Sequence, residues 1–160
     1  MGIFSSSTNT LNKINFEDMQ NLITDKNALI INTLTNSNQS CLIKGTINAE
    51  NETKIINEQL HSRNIKQIII IYGQNCSDDT VVSKYKQLLG LGFTNIYVYP
   101  GGMFEWCLLQ DIYGDELFKT TSKITDILKY KPESLTNINY NNSIITANNN
   151  NNNNWMSWLS

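Results

Sequence analysis

The sequence predicts an α/β domain on a mainly parallel sheet, and three observations carry that expectation. Short apolar runs alternate with segments of helical period over residues 28–111, the pattern of strands joined by crossover helices. Ile68, Ile69, Ile70 and Ile71 are consecutive, as in a central strand covered on both faces. A second run at 96–99 follows after one helical stretch, giving a βαβ unit whose crossover is right-handed in nearly all cases.

The elements follow in order. Asn15 is a natural cap for a helix to about Thr24, with Phe16, Met19, Leu22 and Ile23 as its apolar stripe. "ALIINTL" at 28–34 reads as a buried strand, "TNSNQS" at 35–40 as a polar loop, and "CLIKGTIN" at 41–48 as an extended stretch turning at Gly45. Residues 52–63 form an amphipathic helix with Ile55, Ile56 and Leu60 inward. Strand 68–72 leads through a tight loop to a helix at 79–90, closed by Gly90 and Gly92. "TNIYVYP" is stopped by Pro100 and Gly101–Gly102. Helices are expected at 103–113 and about 122–130, and Pro132 closes the folded part.

Composition bounds the function. At 160 residues the chain is expected to form one domain: a flexible N-terminus at 1–12, a domain at 13–131 with a C-terminal helical extension, and an Asn-rich tail at 132–160. Charged residues make up 16%, against about a quarter in typical soluble chains, and the net charge is −2 with no basic run. That gives no electrostatic footprint for nucleic acid. No 18-residue apolar stretch spans a membrane, and no basic-then-apolar leader opens the chain, so a cytoplasmic rather than secreted protein is expected. Cys41, Cys76 and Cys107 form no Cys-x-x-Cys pair, and His61 sits at the polar end of a helix. Free thiols, a surface histidine and no metal site follow.

Taken together, these segments resemble the rhodanese-like domain over about residues 13–112. "INFEDMQNLI" is similar to its opening helix, and "ALIINTL" to the strand that usually ends in Asp-x-Arg. "CLIKGTIN" keeps Ile43, Gly45, Ile47 and Asn48 of a Gly-His-Ile-x-Gly-Ala-Ile-Asn stretch. "IIIIY" resembles the strand entering the catalytic loop. "LGFTNIYVYPGGMFEW" carries Gly92, Phe93, Asn95, Gly101, Gly102 and Trp106 of the closing signature. The resemblance implies a three-layer domain with a central parallel sheet of about five strands between helices. The segment "LLQDIYGDELFKTTSKITDILKYKP" lies outside the general pattern and reads as a specialised cap.

The departures fall on the chemistry. The resemblance implies an active-site loop over Gly73, Gln74, Asn75, Cys76, Ser77 and Asp78. Active members carry a persulfide on a Cys directly after the strand, where this chain has Gly73. Cys76 holds the fourth place, and Asp78 the sixth, where many sulfurtransferases have Arg or Lys. Asn32, Thr33 and Leu34 replace Asp-x-Arg, and Leu42 replaces the His. The reaction needs a cationic or amide-rich cradle for an anion. Asp78 and Asp79 supply negative charge instead, one of them as a helix cap that takes the donors. No catalytic residue and no cofactor are expected. The favoured reading is a non-catalytic module that binds a protein partner. The alternative is a sulfurtransferase using Cys76 as its persulfide carrier.

The two ends carry separate signals. "MGIFSS" fits the N-myristoylation pattern with Gly2 as acceptor; the other reading is an ordinary Met-Gly start. One acyl chain gives weak, reversible membrane association. The tail contains seven Asn in a row at 148–154 and then "WMSWLS". That end either folds back on the domain or serves as a short linear motif.

Overall fold

The computed structural model describes residues 10–135. Gly2, the Asn run and "WMSWLS" lie outside these residues. Helix α1 spans Phe16–Ile23 and begins with a reciprocal cap. Asp18 N–H donates to Asn15 Oδ1 at 2.9 Å and Asn15 N–H to Asp18 Oδ2 at 3.3 Å, satisfying two amides that the first turn leaves open. Strand β1 covers Ala28–Asn32, helix α2 Ala49–His61, strand β2 Ile68–Tyr72, helix α3 Thr80–Gly90, strand β3 Ile96–Tyr99 and helix α4 Gly102–Tyr113. Helix α2 starts three residues before the expected 52 because Asn48 caps it, Oδ1 accepting from Glu50 N–H at 3.1 Å.

The strands lie parallel in the order β1-β2-β3, with Asn32 beside Tyr72 and Tyr72 beside Tyr99 at their C-terminal ends. The described residues hold three strands, not five. Single bridges mark the two outer positions, Lys13 against Val98 and Thr46 against Ile30. Each is cut short because a helix cap, Asn15 or Asn48, comes two residues later. Asn12 belongs to the fold, its carbonyl accepting from Val98 N–H at 2.8 Å. The helix expected at 122–130 is replaced by a coil and a 3-10 turn at Ile127–Tyr130. Lys119, Thr121 and Ser122 instead bond the stretch at 40–44 and Trp106.

Alternation along the strands divides the core. Ile30, Ile70, Tyr72 and Tyr99 face α1, α4 and the C-terminal extension. Ile31, Ile69, Ile71, Ile96 and Val98 face α2 and α3. No helix among the described residues is long and apolar enough to cross a membrane.

Candidate functional site

The loop 73–79 leaves β2 at the C-terminal edge of the sheet, where open parallel sheets place their ligands. Helix α4 closes over it. Met103 N–H donates to Gly73 O and Phe104 N–H to Gln74 O, both at 3.0 Å, so the first free amides of that helix are spent on the loop. The approach requires glycine at position 102. Its φ is +60°, and a Cβ there would stand 2.5 Å from Gly73 O and 3.0 Å from Asn75 N.

Asp78 points back into its own loop. Its Oδ2 accepts from Gln74 N–H at 2.8 Å. Its Oδ1 accepts from Thr80 N–H at 3.1 Å and from the Thr80 hydroxyl. The Thr80 oxygen in turn lies 2.8 Å from Thr33 Oγ1 at the end of β1. Asp78 is thus the side chain that caps α3, while Asp79, the residue before the helix, makes no side-chain cap bond. A carboxylate bound by amides at a helix start is a built-in anion. Gly73 makes room for it: a Cβ at 73 would fall on Asp78 Oδ2 and lie 2.6 Å from Val81 Cγ2. Gly73 therefore matters for space, not for an unusual backbone angle.

Other loop groups are engaged as well. Asn75 Oδ1 accepts from Ser77 N–H at 3.0 Å, and Asn75 O from Asp78 N–H at 3.2 Å. Gln74 Nε2 donates to Lys129 O at 2.9 Å and Asn75 Nδ2 to Tyr130 O at 2.8 Å. The C-terminal extension is thereby tied across the loop. Cys76 is exposed at the tip, its Sγ 4.0 Å from Ser77 Oγ.

Around the loop, positions that resemble polar active-site positions are apolar and packed. Leu34 and Leu42 are each 7% exposed and share one cluster with Cys41, Ile43 and Tyr130. Asn32 is buried, with Oδ1 accepting from Leu34 N–H at 3.1 Å and Gln39 Nε2 at 2.7 Å. Beside the loop lies an open cleft of about 500 Å³ walled by Thr33, Thr35, Ser77, Asp79, Lys131 and Glu133. Cys41 and Cys107 are buried, and burial pushes the Cys107 thiol up to about 12. His61 is exposed near the end of α2, Nδ1 2.7 Å from Asn57 O. Among the described residues, no three His, Cys, Asp or Glu side chains are grouped to hold a metal.

Sequence reasoning placed the loop and its acidic character. It missed the clamp by Gln74 and Asn75 on the carbonyls of 129 and 130, which no local pattern signals. The burial of Leu34 and Leu42 in one cluster had a signal, since each replaces a polar residue of the motif with leucine.

The rhodanese-like domain profile matches residues 15–109, and the chain belongs to that family. Solved structures similar to it include the Alr3790 protein from Anabaena sp., 16% identical with a TM-score of 0.47 over 72% of this chain and 97% of that one. An uncharacterized protein from Saccharomyces cerevisiae is 19% identical, TM-score 0.47, over 62% and 92%. A single-domain sulfurtransferase from the same yeast is 15% identical, TM-score 0.45, over 64% and 93%. No curated protein matches the chain.

Proposed function

We propose that this rhodanese-like domain is a non-catalytic module that binds or regulates a protein partner. One observation carries the reading: the Asp78 carboxylate holds the Gln74 and Thr80 amides from inside the loop, over Gly73. An incoming anionic group would have to displace a covalently tethered one of the same charge. The neighbouring cleft sets hydroxyl, carboxylate and lysine groups beside Leu34 and Leu135, a mixed lining that suits a peptide segment.

The test is thiosulfate:cyanide sulfur transfer by the full chain, with Cys76→Ser as control. The two proteins should give the same background rate. Turnover present in the parent and lost in Cys76→Ser would establish the alternative, in which Cys76 thiolate takes the outer sulfur of thiosulfate, releases sulfite, and passes that sulfur to cyanide as thiocyanate. The exposure of Cys76 at the loop tip is the observation that favours this second reading. The module is also proposed to be acylated on Gly2, which would hold it weakly at a membrane surface. Intact mass of protein made in eukaryotic cells should then show the added acyl group, and an unmodified Gly2 removes the membrane part alone.

A further inference from the structure

The C-terminal extension has two unlike halves. Residues 119–122 are stitched to the stretch at 40–44. Thr121 N–H donates to Leu42 O at 2.8 Å, Lys44 N–H to Lys119 O at 3.0 Å, and the Ser122 hydroxyl to Ser40 O at 2.8 Å. Residues 123–131 lie on the domain differently. Of these, only Tyr130 goes fully inside, at 0% exposed, while Ile124 and Ile127 are half-buried. The loop grips this second half through the side-chain amides of Gln74 and Asn75, which donate to the carbonyls of Lys129 and Tyr130.

Tyr130 shares a cluster with Leu34, Leu42, Tyr72 and Cys107, at the sheet edge where open parallel sheets take their ligands. Its hydroxyl is buried with no partner among the described residues. A hydroxyl that gives up water and gains no bond makes the residue a weaker anchor than its buried ring implies. Ile124 and Ile127 pack against the same cluster and, with Cys107, line the cleft beside it. Moving this segment away would therefore uncover the Cys107 thiol, which is 1% exposed.

Segments with few buried side chains and exposed hydrogen bonds open without unfolding the core. Residues 123–131 contribute one fully buried side chain, and their bond from Gln74 is exposed. We propose that residues 123–131 form a strap hinged after Ser122. It lifts as a unit, draws Tyr130 out from beneath the loop, and uncovers Leu34, Leu42 and Cys107 while the sheet stays folded. Closed, the strap fills the sheet edge; open, it presents an apolar cluster there. The opening does not rest on whether the loop is catalytic.

Maleimide labelling of the full chain, read residue by residue from peptide masses, tests it. Cys76, which is exposed, should label at once and Cys107 slowly. The Cys107 rate should stay flat in urea well below the unfolding transition, because a local opening exposes little surface. Gln74→Ala removes one bond to the strap and should speed Cys107 labelling about threefold or more. Tyr130→Phe deletes the unpartnered hydroxyl and should slow it by about as much. Ile71→Val, on the opposite face of the sheet, should lower the urea midpoint and leave the Cys107 rate unchanged. A Cys107 rate that climbs with urea along the slope of global unfolding, or that follows the stability loss of Ile71→Val, overturns the proposal. Labelling of Cys107 as fast as Cys76, or indifferent to both strap variants, overturns it equally.

Discussion

Across one face of the sheet, Ile31, Ile69, Ile71, Ile96 and Val98 meet Ile56, Val81, Leu88 and Phe93. Across the other, Tyr72, Tyr99, Tyr130 and Trp106 share the interior with the thiols of Cys41 and Cys107. Both layers exclude water, but only the second buries a dense set of hydroxyl and thiol groups. Tyr72 is satisfied, its hydroxyl accepting from Ile43 N–H at 3.2 Å and sharing a bond with Thr46 Oγ1 at 2.9 Å. The hydroxyl of Tyr130 is buried with no hydrogen-bond partner among the described residues, a cost of about 1–3 kcal/mol, while the Tyr99 hydroxyl is buried beside the Glu105 carboxylate. The polar layer is also the one that the C-terminal extension covers and that reaches the candidate site through Tyr130. Specialised sequence and less favourable burial thus fall together, while the aliphatic layer supplies generic cohesion.

The comparison is most directly broken at Trp106. Its ring lies edge-on to Phe118 at 5.0 Å and to Tyr99 at 6.0 Å, and its Nε1–H donates to Lys119 O at 3.2 Å. Trp106→Ala should cost about 3–5 kcal/mol, and Ile71→Ala on the other face about 2–5. Urea melts check both. A cost below about 1 kcal/mol at Trp106 would show that the mixed layer is no true core.

Alkali separates the two layers by chemistry. The Cys107 thiol moves from an ordinary 9.0 to about 12 through burial. Above pH 9 the unfolded chain loses that proton while the folded chain keeps it. The unfolded state then binds fewer protons, and stability falls as pH rises. Below pH 9 the group contributes nothing. The loss should total at most roughly 4 kcal/mol by pH 12, at 1.36 kcal/mol per unit. Burial also raises Tyr72, Tyr99 and Tyr130, which steepens the fall above pH 10. Melting midpoints between pH 8 and 11 should show this decline, and Cys107→Ala should flatten it.

A smaller effect is expected in the loop. Gly73→Cys places a Cβ onto the Asp78 carboxylate and should cost about 1–3 kcal/mol as overpacking. Adding Asp78→Ser should recover part of that loss. An undiminished urea midpoint in Gly73→Cys alone would show that Asp78 can move aside freely, and would weaken the non-catalytic reading.

Much of this was legible in the sequence for identifiable reasons. The strand at 68–72 is marked by its unbroken isoleucines, and α1 by the cap at Asn15, because both signals are local. Trp106 and Gly102 were legible through the motif they close. The extension was misread as helical over 122–130 because its apolar residues, Ile124, Ile127 and Leu128, recur at a spacing a helix would share. Long-range bonds from 119–122 to the 40–44 stretch decide the outcome there. Within the loop, the acidic residues were visible, yet which of the two caps α3 depends on backbone direction at Asp78, set by its approach to Gly73.

That approach also couples two positions five residues apart. A glycine at 73 and an aspartate at 78 are epistatic: the side chain of one occupies the space the other would need. Replacing Gly73 alone creates a collision, and replacing Asp78 alone strips the cap from α3. The two positions are therefore expected to tolerate change only in compatible pairs, a coupling that a double-mutant cycle on Gly73 and Asp78 would measure.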